Sequence, residues 1–455
     1  MKNNSTKYHY IFSFFLLIGL TSCEDILEVD LPSNQLASNT VYATDVTAEA
    51  AVNGIYKSMV TDVYYNNLHS TLGQTSDELI LNSLAPNVYT SNEIQVIDGT
   101  INSMWGSLYK VIYNANTVIE GINESTTLTP SYSKKWIAEA KFIRGLSYFY
   151  LTNLWGDVPL VLSTDVNKTA LAPRNAQAEV YAQIIADLTD ASNDLPTDYT
   201  DYKAQRIRAP KWAAEAMLAR VNLYLGKYTE AITHADAVIN QSGTYKMITG
   251  LSAANSPFIA NNNEAILQIP YFNTVYTYEG GAVFTTNAPF LLRKSATLFE
   301  TGDARKTNWT LNFAVSGVTY LAPRKYKNSY TTTPSERSTI LRLAEVYLIR
   351  AEARAMTDNY TGARDDVNVI RDRALVPLAT TVDKNELLDL IALERQRELF
   401  AEFGHRWLDL KRTGKADAVL GALSDKVWAS TDALYPIPET ARLANPFLTQ
   451  NLGYN

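Results

Sequence analysis

Cysteine is nearly absent. The only one, Cys23, rules out an intrachain disulfide. Histidine is almost as scarce: His9, His69, His234 and His405 lie far apart and form no HExxH. There is also no CxxC, no GxSxG and no GxxxxGK(S/T), so zinc, redox, serine-nucleophile and phosphate-cradle chemistries have no candidate motif. No catalytic residue, metal ligand or cofactor is expected. Lysine and arginine form no basic run with interleaved aromatics, which argues against a nucleic-acid partner. No apolar run reaches the roughly 18–20 residues that span a bilayer.

What is present starts with composition. The 455 residues are 46% hydrophobic and 19% charged, a globular balance with enough length for a large core, and the formal net charge is −7. Tyrosine is abundant, at 28, and asparagine is frequent, which suits polar recognition or a tyrosine-rich core. At the N-terminus Lys2 and Lys7 precede an apolar run, Ile11 to Leu20, and then Leu20-Thr21-Ser22-Cys23. This pattern reads as a secretory signal over residues 1–22 ending in a lipoprotein box, with cleavage before Cys23 and acylation of that residue.

The strongest helical signal is Trp136 to Leu162. Thr129-Pro130 reads as a cap and a first helical proline, and Gly156-Asp157 with Pro159 as the stop. Trp136, Ala140, Ile143, Tyr150 and Leu154 share one stripe, and from Leu146 to Trp155 the other faces are apolar too. A helix apolar all round belongs inside a bundle, so these aromatics read as core. Further helices are expected over 45–59, 102–122, 176–195, 210–225 and 383–403, the last capped by Asp383. Trp105, Leu108, Ile112 and Val118 are the expected core of the second. Leu218 to Ile239 and Ile349 to Ala374 resemble tetratricopeptide units: Ala219, Tyr228 and Ala231 recur as Ala351, Tyr360 and Ala363, each 132 residues on. That offset far exceeds one repeat, so residues 241–337 read as an insert. The insert is rich in Gly and Pro, with short β-like runs at 265–269 and 315–321. Residues 62–98 also lack a sustained helical period. The two loop-rich segments, 62–100 and 244–335, are expected to lie together against the repeats.

Three stretches carry a resemblance. Trp136–Leu162 with its Gly-Asp-Val-Pro-Leu exit, Glu394–Arg412 (ERQRELFAEFGHRWLDLKR) and Tyr435–Asn455 occur in the order found in the SusD/RagB family of outer-membrane nutrient-binding lipoproteins. The family's ending normally has proline where this chain has Leu452, a difference confined to a local turn. The resemblance implies a mainly α fold: tetratricopeptide-like helix pairs as a scaffold, with an irregular loop-rich lobe containing short strands. It divides the chain into the signal (1–22), an N-terminal part (23–240) and a C-terminal part (241–455), packed as one compact unit. It also implies a surface-exposed protein, lipid-anchored in the outer membrane. Such a protein captures an oligomeric nutrient, a glycan before a peptide, and works with a SusC-like TonB-dependent transporter.

Glu394, Glu398 and Glu402 lie four apart on one expected helical stripe and invite a glycosidase reading. Arg395, Arg397 and Arg406 sit within helical reach, and cations disfavour a general acid, so the cluster reads as structural and the hydrolase alternative is weak. Asp77-Glu78 reads as loop bracing, Asp365-Asp366 as a solvated face, and His405 as packing on Trp407 or bonding carbonyls. What remains for recognition is aromatic and amide side chains on the two loop segments. Asn87, Tyr89 and Asn92 lie on the first; Tyr276 and Tyr278, flanked by Tyr271, Phe272 and Phe284, lie on the second. A sugar offers a C–H face that stacks on tyrosine and hydroxyls that need paired donors and acceptors, so these five are the candidate ligand contacts. The first segment has no tryptophan to complete a flat platform. A bare interaction scaffold is the remaining alternative, and a ligand-dependent thermal shift separates it from a binder. The N-terminal reading has its own test: Cys23→Ala should leave the protein unacylated and missing from the membrane fraction, whereas an unmodified Cys23 thiol in the intact mass of the processed wild type contradicts it.

Overall fold

The computed structural model describes residues 38–59, 68–269, 277, 279, 283, 285–328 and 335–454. Among them, eleven helices of eight or more residues dominate, with six short strands. Helix α1 (Asp45–Ser58) packs on α3 (Gly99–Glu124), which packs on α4 (Pro130–Trp155). From there each helix packs on the next: α5 (Gln177–Asp194), α6 (Lys211–Tyr224), α7 (Tyr228–Ile239), α8 (Leu343–Met356), α9 (Tyr360–Arg373) and α10 (Lys384–Leu399). The first helices of successive pairs also touch, α4 on α6, α6 on α8 and α8 on α10, as a superhelical stack of hairpins requires. The fold is mainly α, as expected, with short strands confined to the loop-rich lobe.

The stack holds three pairs, α4/α5, α6/α7 and α8/α9, where the sequence pattern shows two. The two legible pairs share a three-residue connection and a left-handed residue at equivalent positions, Gly226 (φ 69°) and Asp358 (φ 62°). Their crossings are built on Ala219, Ala231, Ala351 and Ala363, all fully buried. The α4/α5 pair has the same packing, with Gly145 set tightly against Leu188, but residues 156–176 intervene and shift the spacing.

Helix α4 is buried over nearly all its length, including Trp136, Ala140, Ile143, Tyr150 and Leu154. Trp105, Leu108, Ile112 and Val118 are buried on α3. Thr129 does not cap α4 with its side chain; its hydroxyl and backbone N–H instead donate to Asp45, tying α4 to α1. Gly156 ends the helix at φ 74°. The first loop segment contains a helix the sequence hides, α2 (Leu68–Thr75), because seven of its eight residues are buried and several are polar, leaving no amphipathic period. Strand β1 (Leu79–Leu81) follows. The 315–321 run is not one strand but the end of β4 (Thr310–Val315), a turn at Ser316-Gly317, and most of β5 (Val318–Pro323).

The insert is fastened to the repeats by charge. Glu264, Asp303, Glu394, Glu398 and Glu402 meet Arg305, Lys325, Arg342, Arg371 and Arg373, and all ten are buried. Arg342, at the end of β6 (Thr339–Arg342), reaches Glu264 at 3.1 Å, Glu398 at 2.5 Å and Glu402 at 2.8 Å. Arg305 bonds Asp303 at 2.8 Å and Glu394 at 2.7 Å. These partners correct the local pairing expected from sequence: Arg395 pairs with Asp409, Arg406 with Asp77, and Arg397 with Glu300, leaving Arg397 3.9 Å from Glu394. Helix α10 also stops at Leu399, so Glu402 lies in the turn after it, where Ala401, Phe403 and Gly404 take positive φ. Asp366 is buried with Arg350 and Arg354 rather than solvated; only Asp365 faces out.

Burial pushes the Glu398 carboxyl up, but Arg373, Arg342 and Arg305 outweigh it and hold it well below the carboxylate range. Burial pulls the Lys325 ammonium down to about 8, with Glu402 opposing. Arg342→Ala would leave three buried carboxylates undercompensated. Chemical denaturation should show a loss of about 3–5 kcal/mol; a change under ~1 kcal/mol would mean the network bears little of the fold's stability.

Candidate ligand-binding face

The first loop segment is held by its own side chains. Asn87 Oδ1 accepts from the backbone N–H groups of Tyr89 (3.0 Å) and Thr90 (2.9 Å), and its amide donates to Gln74 Oε1 (2.7 Å). Such an asparagine bonded to the backbone two and three residues on shapes a turn. The Tyr89 hydroxyl donates to both oxygens of Asp98 at 3.1 Å, and Asp98 also caps α3. The Tyr89 ring is half-buried against the main core. Asn92 is buried at φ 63°; its amide donates to Thr75 O (3.3 Å) and its Oδ1 accepts from Lys426 Nζ (2.6 Å).

Lys426 is the pivot of this face, and the sequence does not announce it. Its Nζ also donates to Gln74 O (3.1 Å) and Thr75 O (3.0 Å), so one ammonium joins the end of α2, the 90–92 turn and the C-terminal loop. Burial, with Arg293 adding repulsion, pulls it down to about 7. The next residue continues the seam, Val427 N–H donating to Ser91 O at 2.8 Å.

The two loop segments do lie together. β1 pairs antiparallel with β3 (Phe290–Leu292), Leu79 opposite Leu292 and Leu81 opposite Phe290. Asn82 extends the seam, its backbone N–H donating to Pro289 O (3.0 Å) and its amide to Asn287 O (3.2 Å). Deeper in, Glu279 lies 3.1 Å from His69 Nε2 on α2. Cys23, Tyr271, Phe272, Tyr276, Tyr278 and Phe284 lie outside the described residues. Asp77 and Glu78 brace the seam from below. Burial would raise Asp77, but Arg406 and Lys294 outweigh it and hold it near about 2. Burial raises Glu78 to about 8 while it accepts from Ala401 N–H. His405 is buried, and that burial pulls it down to about 4.

The outer rim is apolar and amide-rich: Leu84 and Val88 are exposed beside Asn82, Ser83 and Pro86. Trp428, one residue beyond Val427, adds a partly exposed indole whose N–H donates to Asp417 (2.8 Å) and whose ring meets Trp407 edge-on at 6.0 Å. Only its residue type signals it in the sequence. Among the described residues, no group of three or more His, Cys, Asp or Glu is placed to hold a metal ion, and no helix is long and apolar enough to cross a membrane.

With this geometry in place, comparison with known proteins is informative. Residues 25–223 match the profile of a family described as "Starch-binding associating with outer membrane", and residues 300–454 match that of the "SusD family". A SusD-like protein of Formosa agariphila is 26% identical over 97% of this chain and 98% of its own. The starch-binding protein SusD of Bacteroides thetaiotaomicron is 26% identical over 73% of this chain and 75% of its own. The solved structure of a putative sugar binding protein from Bacteroides vulgatus superposes with a TM-score of 0.76 at 25% identity, covering 91% of this chain and 100% of that one. A laminarin binding SusD-like protein superposes at 0.73 with 23% identity, covering 91% and 100%.

Replacing Lys426 tests the seam. Lys426→Met keeps the stem but leaves Gln74 O and Asn92 Oδ1 without their donor, each worth about 1–3 kcal/mol when unsatisfied. Hydrogen exchange in residues 87–93 should quicken at least tenfold; unchanged protection would show that the lysine does not hold the turn.

Proposed function

The chain belongs to the SusD/RagB family, and from that premise we propose that it captures an oligosaccharide at the cell surface and delivers it, unaltered, to a SusC-like TonB-dependent outer-membrane transporter. Anchoring through acylated Cys23 is part of the same reading. The observation that carries it is the seam of two loop segments at β1 and β3, presented by a rigid helical stack. Starch and laminarin, named for two relatives, are both glucose polymers without charge, which favours a neutral glycan here.

In this reading Asn87 and Asn92, expected as ligand contacts, are taken up within the protein and instead hold the loop backbone that carries Tyr89. The Tyr89 ring, with Tyr276 and Tyr278 from the second segment, stacks on sugar faces. The juxtaposition of His69 with Glu279 supports bringing that part of the second segment to α2. Catalysis is not proposed. Glu394, Glu398 and Glu402 are buried and committed to arginine and lysine, so none presents a proton to a glycosidic bond.

Calorimetry with the oligosaccharide selected on a glycan array tests this. Aromatic truncation at a binding hot spot costs upwards of ~2 kcal/mol, about thirtyfold in affinity. Tyr89→Ala and the Tyr276→Ala/Tyr278→Ala pair should each weaken binding at least tenfold, with weak dependence on salt. Unchanged affinity in both would move the site elsewhere, and a steep salt dependence would point to a charged cargo such as a peptide.

A further inference from the structure

A cavity lies among α6, α8, α10 and α11 (His405–Arg412), none of its lining residues belonging to β1 or β3. It has a volume of about 520 Å³. One wall is apolar, from Leu223, Met356, Leu388 and Ala392. The rest is charged: Arg395, Arg412, Glu352 and Asp409, with Arg406 paired outward to Asp77 and Lys415 to Asp389.

Arg395 is the distinctive group. Its side chain is 2% exposed, and its Nε donates to Asp409 Oδ2 at 2.7 Å, which fixes the plane of the guanidinium. Its other edge is unused. Neither Nη1 nor Nη2 meets a hydrogen-bond acceptor among the described residues, and the Tyr224 hydroxyl, also lining the cavity, has no partner there either. Arg412, a donor only, cannot accept from them, and Glu352 (2.5 and 2.7 Å) and Asp409 (2.7 Å) hold it with its guanidinium 5.3 Å from the centre of the Tyr224 ring. Buried donors without acceptors are costly. A buried arginine with a free two-nitrogen edge presents a planar fork that a carboxylate matches with two parallel bonds.

We propose that this cavity binds a small amphiphilic carboxylate, its two oxygens on Arg395 Nη1 and Nη2 and its apolar body against Met356, Leu388 and Ala392. The volume suits a small organic acid rather than a polymer segment. The apolar wall selects against inorganic anions, and the two free donors of Arg395 meet the charge the ligand brings. The site is independent of what the loop face binds.

Sodium hexanoate is the probe, with 1-hexanol as the uncharged comparison, in calorimetry on the purified protein. Hexanoate should bind saturably, and hexanol at least tenfold more weakly. Arg395→Lys keeps the charge but loses the fork. Ala392→Phe fills the cavity from its apolar wall without replacing a buried ion. Each should weaken hexanoate at least tenfold, while Ala392→Phe keeps the wild-type circular dichroism spectrum and oligosaccharide affinity. No saturable hexanoate binding to the wild type, equal binding of hexanol, or wild-type affinity in Ala392→Phe would overturn the proposal. Loss of oligosaccharide binding alone would bear on the loop face and leave this site standing.

Discussion

The interaction on which the structure depends is the meeting of Arg342 with Glu264, Glu398 and Glu402 in the dry interior. Arg342 is the last residue of β6 and the N-terminal neighbour of α8, so it stands where the insert rejoins the helical stack. Glu264 belongs to the start of the insert, Glu398 to α10 and Glu402 to the turn beyond it. One guanidinium thereby fixes both ends of the insert against the last helix. Phe258, Trp309 and Phe400 pack around the cations and keep water out. A buried ion pair is a poor source of net stability compared with apolar packing, but it penalises every misaligned arrangement heavily. Here that penalty sets the register of the insert, and with it the position of β3, which completes the seam with β1.

A second convergence is aromatic. The three stretches that carry the family resemblance meet in space at Trp155, Trp407 and Tyr435. Trp407 and Tyr435 stack at 6.3 Å, Trp155 meets Tyr435 edge-on at 6.0 Å, and the Trp155 indole N–H donates to Pro436 O at 2.9 Å. Asn451, in the terminal stretch, donates to both Trp155 O and Tyr435 O. The exit of α4, helix α11 and the C-terminal tail are therefore parts of one joint. Gly404 is required there: its φ is 74°, and a Cβ would lie 2.2 Å from Leu72 of α2.

The sequence is most legible where one helix decides its own fate. The stripe on α4, the core of α3 and the alanine–tyrosine pattern of two repeats can all be read because burial is periodic and local. It is least legible where partners are distant. The acids Glu394, Glu398 and Glu402 were identifiable, yet Arg305, Arg342 and Lys325, which neutralise them, lie 56 to 93 residues away, so helical spacing named the wrong cations. Helix α2 was hidden by its polar interior, and the third repeat by the long connection at 156–176. On the ligand-binding face, the crowding of two loop segments was legible from composition. Lys426 was not, because its importance comes from tertiary contact with a segment more than 300 residues earlier.

In the proposed function, the helical stack presents a recognition face at the β1–β3 seam. Hydrogen–deuterium exchange with and without a saturating oligosaccharide addresses it directly. The account predicts new protection in residues 82–98 and 270–294, with no change along α7 and α9. Protection confined to the helical repeats, with the two loop segments unaffected, would contradict it.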